Sequence, residues 1–177
     1  VYFEYLQFAL GRNYLNFAFL QLFAFVLLCA DDRVREATAF EYVIIDEFQD
    51  TSEIQFKLAL LMAGTTNLCV VGDWKQSIYS FQYADVENIR TFAERFERFR
   101  ADLNSDQERV PYPVPEVDRV ELTQNYRSTD SILKFARDTL VTPATSRDDV
   151  DADAVLSEVV DLDSNAAFDN TQIEGIT

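Results

Sequence analysis

Two acidic side chains follow an apolar run in the first third of the chain. The stretch EYVIIDEFQDTSEIQ, residues 41–55, places Asp46 and Glu47 directly after the run, with Asp50 close behind. An Asp at a strand end can bind Mg²⁺ directly or through its waters, and an adjacent Glu can orient or deprotonate a water that attacks a phosphoryl group. The alternative is a solvated acid pair before a helix that is capped by Asp50 or Thr51. This stretch alone favours neither.

A second polar stretch, GDWKQSIYSFQ, follows the apolar segment NLCVV. Asp73 adds a carboxylate, and Gln76 offers an amide that can sense a phosphate. Tyr79 and Phe81 alternate with a serine, so their rings could face one side and stack on bases of a single strand. The alternative for these two aromatic residues is packing in the core.

A third stretch, LTQNYRST, contains an aromatic residue next to a fixed positive charge. Arg127 has five donors and suits the charge of a phosphoryl transition state, and Tyr126 presents a flat ring that could stack on a nucleobase. The alternative is a surface arginine that pairs with one of many acids.

The elements that must position these residues alternate between strand and helix. Three apolar, β-branched runs (YVIID, NLCVVGD and RVELTQN) are each followed by a helical pattern, the first of which is expected to stop at Gly64. The second helical pattern places four apolar residues on one side: Ile89, Phe92, Phe96 and Phe99. Buried strands alternating with helices predict a parallel α/β sheet, in which ligands bind at the carboxyl ends of the strands. The three polar stretches all fall at such ends.

The chain divides into three segments by composition. Residues 1–100 carry the first two units, and residues 101–118, with three prolines at alternate positions, are predicted to be a linker or surface loop. Residues 119–177 carry the third unit, whose helix is expected to have Ser128 or Thr129 as its N-cap, and an acidic segment from Val141 that is expected to be flexible.

The run YLNFAFLQLFAFVLLCA, residues 14–30, approaches the length of a membrane span. Asn16 and Gln21 interrupt it and acids rather than basic residues follow it, which favours a helix buried within a larger protein and no membrane partner. The chain begins at Val1 rather than at a methionine, and we expect it to be a piece of a longer protein.

The charge balance is strongly acidic. There are 31 acidic residues against 15 basic ones, of which only three are lysines, and the formal net charge is -16. A lysine-poor acidic surface indicates adaptation to molar salt, with an ordinary acidic protein as the alternative. The chain has no histidine, and Cys29 and Cys69 lie in apolar runs and are expected to be buried thiols in a reducing, cytoplasmic compartment. Any metal must therefore be bound through oxygen.

Taken together, the three stretches resemble the UvrD/Rep-type DNA helicases of superfamily 1. IIDEFQDTSEIQ resembles their Walker B motif, VVGDWKQSIYSFQYAD their motif III, and LTQNYRSTDSIL their motif IV. The resemblance implies an incomplete RecA-like P-loop NTPase fold, with a parallel sheet flanked by helices and the start of a second RecA-like lobe. It also implies an ATP-dependent enzyme that translocates 3′ to 5′ on single-stranded DNA and unwinds duplexes in repair or recombination.

The resemblance implies a role for each candidate residue. Asp46 would coordinate Mg²⁺ and Glu47 would activate the hydrolytic water, while Gln76 would contact the γ-phosphate of ATP and couple it to DNA. Tyr126 would stack on adenine, and Arg127 would be the arginine finger from the second lobe. Two further residues would contact bases of the tracked strand: Tyr79 and Phe81.

The resemblance leaves two alternatives open. The chain contains no G-x-x-x-x-G-K-[ST] phosphate-binding loop, so on its own it is not expected to unwind DNA. It could be a catalytically inactive remnant or adaptor in a repair helicase–nuclease complex, a partnership that the stretch KQSIY keeps open because it is similar to the nuclease-associated members. It could also be a free-standing Mg²⁺-dependent phosphohydrolase.

Overall fold

The computed structural model describes residues 1–76, 85, 87–145 and 162–166. The chain forms two compact units, Val1–Val117 and Asp118–Thr177. The described helices and strands of the first unit are α1 (Tyr2–Leu10), α2 (Phe17–Ala30), α3 (Asp32–Ala37), β1 (Val43–Ile45), α4 (Glu53–Met62), β2 (Leu68–Val70), α5 (Glu87–Arg90) and α6 (Phe92–Leu103). Those of the second unit are β3 (Gln124–Asn125), α7 (Asp130–Thr145) and β4 (Asp163–Ser164).

Strands β1 and β2 are parallel, which confirms the predicted strand–helix–strand order around α4. Val43 pairs with Leu68 and Ile45 with Val70, and the side chains of these four residues pack against the core. The residues between them face the other way, because side chains alternate along a strand. Ile44 is therefore 75% exposed and Cys69 is exposed. The prediction of buried strands thus holds for one face of the sheet, and the prediction of a buried Cys69 thiol was wrong.

Side-chain caps fix where two of the helices begin. The Asn16 side chain accepts a hydrogen bond from the backbone N–H of Phe19 at 2.8 Å, which starts α2 within the long apolar run. Helix α4 is preceded by Ser52, whose backbone N–H and hydroxyl both donate to Gln55 Oε1, at 2.8 and 2.9 Å. Neither Asp50 nor Thr51 is therefore the N-cap that the sequence suggested.

An aromatic cluster forms the centre of the first unit. The Phe56 ring lies 5.0 Å from Phe48, 5.4 Å from Phe92 and 5.3 Å from Phe99, measured between ring centroids. Phe48, Phe56, Phe96 and Phe99 are all fully buried. The predicted apolar face of residues 89–99 is confirmed, although the helical pattern is divided at Thr91 into α5 and α6.

The predicted linker is packed in its first half. Residues 101–103 complete α6, and Val110 and Tyr112 are buried in the core. The Tyr112 hydroxyl donates to the Leu60 carbonyl oxygen at 2.5 Å. The alternating prolines hold the intervening residues extended, so apolar side chains of the VPYPVP stretch point to one side. This stretch has no helix or strand, as a loop would, but its buried side chains show that it is not wholly at the surface.

In the second unit, β3 pairs in parallel with β4. Helix α7 begins one residue after the buried Thr129 and continues to Thr145, so the acidic segment expected to be flexible from Val141 is helical at its start. Two stretches of that segment, 146–161 and 167–177, lie outside the described residues. The described part of the chain is thus mixed α/β with two small parallel sheets, while the RecA-like identity of each lobe stays a prediction.

In the described part of the chain, no helix combines the length and the apolar character that crossing a membrane requires.

Candidate active site

The site is built on a sharp backbone turn at the end of β1. Glu47 adopts the left-handed conformation, with φ 51° and ψ 41°, which is uncommon for a residue with a side chain and is associated with functional sites. On one side of the turn, Asp46 and Glu47 are exposed; on the other, Phe48 and Gln49 are buried. The turn therefore separates two carboxylates in solvent from two anchoring side chains in the core.

Phe48 attaches this turn to the core and to the neighbouring strand. Its ring packs edge-on against Phe56 and lies 5.7 Å from Phe92. Its backbone N–H donates to the Val71 carbonyl oxygen at 2.9 Å, and the Val71 N–H donates to the Ile45 carbonyl oxygen at 2.8 Å. The ends of β1 and β2 are thereby held side by side, as the sequence predicted from the order of strands and helices.

A pocket of about 330 Å³ opens beside the turn and is lined by Ile45, Asp46, Glu47, Asp50, Thr51 and Gln55. The Asp46 Oδ1 atom accepts from the backbone N–H of Glu47 at 2.9 Å, which orients the first carboxylate. The Oδ1 atom of Asp50 is buried without a hydrogen-bond partner, which is costly unless something satisfies it. The pocket thus collects oxygen ligands at the strand end.

The donor set fits Mg²⁺. This ion prefers oxygen ligands and usually retains several waters, binding through one or two carboxylates together with substrate phosphates. Among the described residues, no group of three or more acidic or cysteine side chains has the arrangement to enclose a metal ion. The carboxylates that line the pocket, completed by water and phosphate oxygens, are ligands of the kind that this ion requires.

The end of β2 contributes the second set of polar groups. Asp73 Oδ1 accepts from the backbone N–H of Lys75 at 3.0 Å, and Asp73 Oδ2 accepts from Gln76 Nε2 at 3.1 Å. Gln76 is exposed, so its amide is available to a ligand once it leaves Asp73. The structure therefore places Asp46, Glu47 and Gln76 at the ends of adjacent strands in one unit.

Sequence reasoning missed the residue that joins these strand ends. Gln49 is 1% exposed; its Nε2 donates to Glu47 Oε2 at 2.7 Å, and its Oε1 accepts from the backbone N–H of Asp73 at 3.1 Å. The sequence feature that could have indicated this role is the position of Gln49 two residues after Glu47. A polar residue after paired acids is equally typical of an exposed surface position.

The remaining candidate site residues lie in the second unit or outside the described residues. Tyr126 and Arg127 follow β3 directly and are exposed, and Asn125 Oδ1 accepts from the backbone N–H groups of Arg127 and Ser128 at 2.9 and 2.7 Å. Among the described residues, no carboxylate forms an ion pair with Arg127. The two predicted DNA contacts, Tyr79 and Phe81, lie outside the described residues.

The sequence profile of the UvrD/REP helicase N-terminal domain matches residues 1–97. The chain belongs to this helicase family. The matched residues include β1, β2 and the acidic turn between them, which are the parts of the candidate site that lie in the first unit. The suspected resemblance to UvrD/Rep-type helicases is confirmed.

Curated relatives include the ATP-dependent DNA helicase PcrA of Staphylococcus epidermidis (strain RP62A) and that of Staphylococcus aureus (strain Mu50). This chain is 39% identical to the former and 38% identical to the latter over 102 residues. Each match covers 57% of this chain and 12% of the relative. The chain therefore corresponds to a small part of the relatives it matches.

Proposed function

We propose that the chain is part of an ATP-dependent DNA helicase that couples ATP hydrolysis to 3′ to 5′ translocation on single-stranded DNA and to duplex unwinding in repair or recombination. The observation that carries this proposal is the acidic turn after β1, where Asp46 and Glu47 line a pocket beside the end of β2. The family match and the similarity to PcrA helicases support it.

The residues of the first unit divide the chemistry between them. The exposed Asp46 carboxylate would hold Mg²⁺, which when bound with ATP supplies positive charge to the phosphate oxygens. The Glu47 carboxylate would accept the proton of the attacking water, and its hydrogen bond from Gln49 keeps it oriented toward one position. Gln76 would exchange its bond to Asp73 for one to the γ-phosphate of ATP.

The second unit contains the other two residues proposed to contact the nucleotide. Tyr126, 71% exposed, offers a ring face to adenine, and Arg127, held by the turn at Asn125, is free of carboxylate partners in the described residues and can act as the arginine finger. Tyr79 and Phe81 would stack on bases of the tracked strand. The enzyme would therefore bind DNA, and it would act in the cytoplasm.

The test uses the full-length protein that contains this chain. We expect Mg²⁺-dependent ATP hydrolysis that is stimulated by single-stranded DNA, and unwinding of duplexes with a 3′ tail in preference to those with a 5′ tail. Glu47→Gln preserves size and the contact with Gln49 but removes the proton acceptor, so turnover should fall about 10²- to 10⁴-fold while nucleotide binding is retained.

The alternative functions predict different results. A catalytically inactive remnant or adaptor of a helicase–nuclease complex would show no turnover in the unaltered protein, so Glu47→Gln would change nothing. A free-standing phosphohydrolase would hydrolyse ATP without stimulation by DNA. Turnover in Glu47→Gln equal to that of the unaltered protein would remove Glu47 from its role.

A further inference from the structure

A buried amide links the two strand ends of the candidate site, in addition to the backbone hydrogen bonds between them. Gln49 is 1% exposed and forms one hydrogen bond to the Glu47 carboxylate and one to the backbone N–H of Asp73. We propose that Gln49 is a positioning residue that fixes the Glu47 carboxylate for water activation and ties it to the loop after β2. This inference rests on the proposed role of Glu47.

The chemistry of the two partners fixes the orientation of the amide. A carboxylate only accepts hydrogen bonds and a backbone N–H only donates them, so Nε2 must face Glu47 and Oε1 must face Asp73. A reversed amide would lose both bonds and place its oxygen against a carboxylate. Since unpaired polar groups are costly to bury, the buried Gln49 has one stable orientation.

This contact restrains a side chain that would otherwise be mobile. Glu47 is exposed and forms the sharp turn of the backbone, so the core does not hold its carboxylate. The hydrogen bond from Gln49 at 2.7 Å is charge-assisted, which makes it stronger than one between neutral groups. A general base must lie within hydrogen-bond reach of the attacking water. Restraining the Glu47 carboxylate in one position therefore favours proton transfer from that water.

The Gln49 amide also forms a hydrogen bond to the loop that carries Gln76. Gln49 accepts from the backbone N–H of Asp73, and the Asp73 carboxylate accepts from Gln76 Nε2. Four residues are thus joined by hydrogen bonds in the order Glu47, Gln49, Asp73, Gln76. These hydrogen bonds fix the position of the Glu47 carboxylate, proposed to activate water, relative to the Gln76 amide, proposed to contact the γ-phosphate.

Tight packing at Gly72 is the second observation that supports this role. A Cβ atom at Gly72 would lie 2.5 Å from Gln49 Oε1, 2.8 Å from Ile89 Cδ1 and 3.1 Å from the backbone nitrogen of Phe48. Only glycine leaves room for the amide in its present place. A larger residue must displace Gln49 or the strand end itself.

The experiment compares Gln49→Met with the unaltered full-length protein. Methionine has nearly the volume of glutamine but cannot form the hydrogen bonds to Glu47 and Asp73, so packing is retained while these two contacts are lost. We expect kcat for ATP to fall about 10- to 100-fold, because the lost bond is made to a charged group. Affinity for a non-hydrolysable ATP analogue should change by less than about twofold, since Gln49 does not line the pocket that receives the nucleotide.

Two further variants make the result specific. Gln107→Met is the matched control, since Gln107 is exposed and, among the described residues, its amide donates to the Cys29 carbonyl oxygen alone. It should retain full activity. Gly72→Ala should lower kcat to a similar extent as Gln49→Met, and combining the two should cost less than the product of their separate losses.

Each possible outcome either supports or rejects the proposed role of Gln49. A kcat for Gln49→Met within twofold of the unaltered protein would overturn the inference, and so would parallel losses of kcat, analogue affinity and melting temperature, which indicate a merely structural role. Loss of turnover in Glu47→Gln together with full activity in Gln49→Met would leave the proposed function standing and reject only this inference. Unchanged turnover in Glu47→Gln would reject both.

Discussion

Phe48 connects the acidic turn to the core, and its removal should cost a large part of the stability of the first unit. The ring is fully buried and packs edge-on against Phe56 at 5.0 Å and against Phe92 at 5.7 Å. Truncating a buried phenylalanine to alanine costs about 3 to 5 kcal/mol. Because whole domains are stable by only about 5 to 15 kcal/mol, Phe48→Ala should leave the unit marginally folded.

Urea denaturation followed by the fluorescence of Trp74 measures this loss. Trp74 is the single tryptophan of the chain and lies in the first unit, with the Arg90 guanidinium 5.2 Å from its ring centroid. Phe17→Ala is the matched control, because Phe17 is 85% exposed and surface changes cost within about 0.5 kcal/mol.

A double-mutant cycle isolates the contact between the two rings. Adding Phe56→Ala to Phe48→Ala should reveal a coupling of about 0.5 to 1.5 kcal/mol, the value typical of edge-to-face aromatic pairs. The reasoning would be refuted if Phe48→Ala cost no more than Phe17→Ala. Zero coupling would show that the turn is not anchored through this ring pair.

Two further predictions concern pH and salt. Burial raises the pKa of the Tyr112 hydroxyl, so above about pH 10 the unfolded chain releases a proton that the folded chain keeps, and stability should fall by up to about 1.4 kcal/mol per pH unit. Urea midpoints at pH 9 and 11 should show a smaller alkaline loss in Tyr112→Phe; equal losses would contradict the assignment. With a net charge of -16, the urea midpoint should also rise with KCl up to molar concentrations, because salt screens self-repulsion. A plateau below about 0.5 M would favour the ordinary acidic protein over one adapted to molar salt.

The sequence was sufficient for the parts of the fold that follow from local periodicity. The runs ending in Asp46 and Asp73 became parallel neighbours because each is a short β-branched strand followed by a helix-forming segment. The apolar spacing of Phe96 and Phe99 likewise placed them in the core. These predictions depend only on residues close together in the sequence and not on contacts between distant residues.

What the sequence could not supply depends on contacts between residues far apart in the chain. Cys69 was expected to be buried because its neighbours are apolar, but its side chain faces away from the helices that cover the sheet. Tyr112 was assigned to a linker, yet its hydroxyl reaches Leu60, 52 residues earlier. Burial is decided by which face meets a partner, and that information lies outside any local window.

The same limit explains why Gln49 was overlooked. Its role depends on Asp73, which lies 24 residues later and is brought near only when β1 and β2 pair. The left-handed backbone at Glu47 sends the next two side chains inward, so the acidic pair and its buried support come from consecutive residues. In this chain the bend at Glu47 lets the two acids that end the strand face solvent while the next two side chains are fixed in the core.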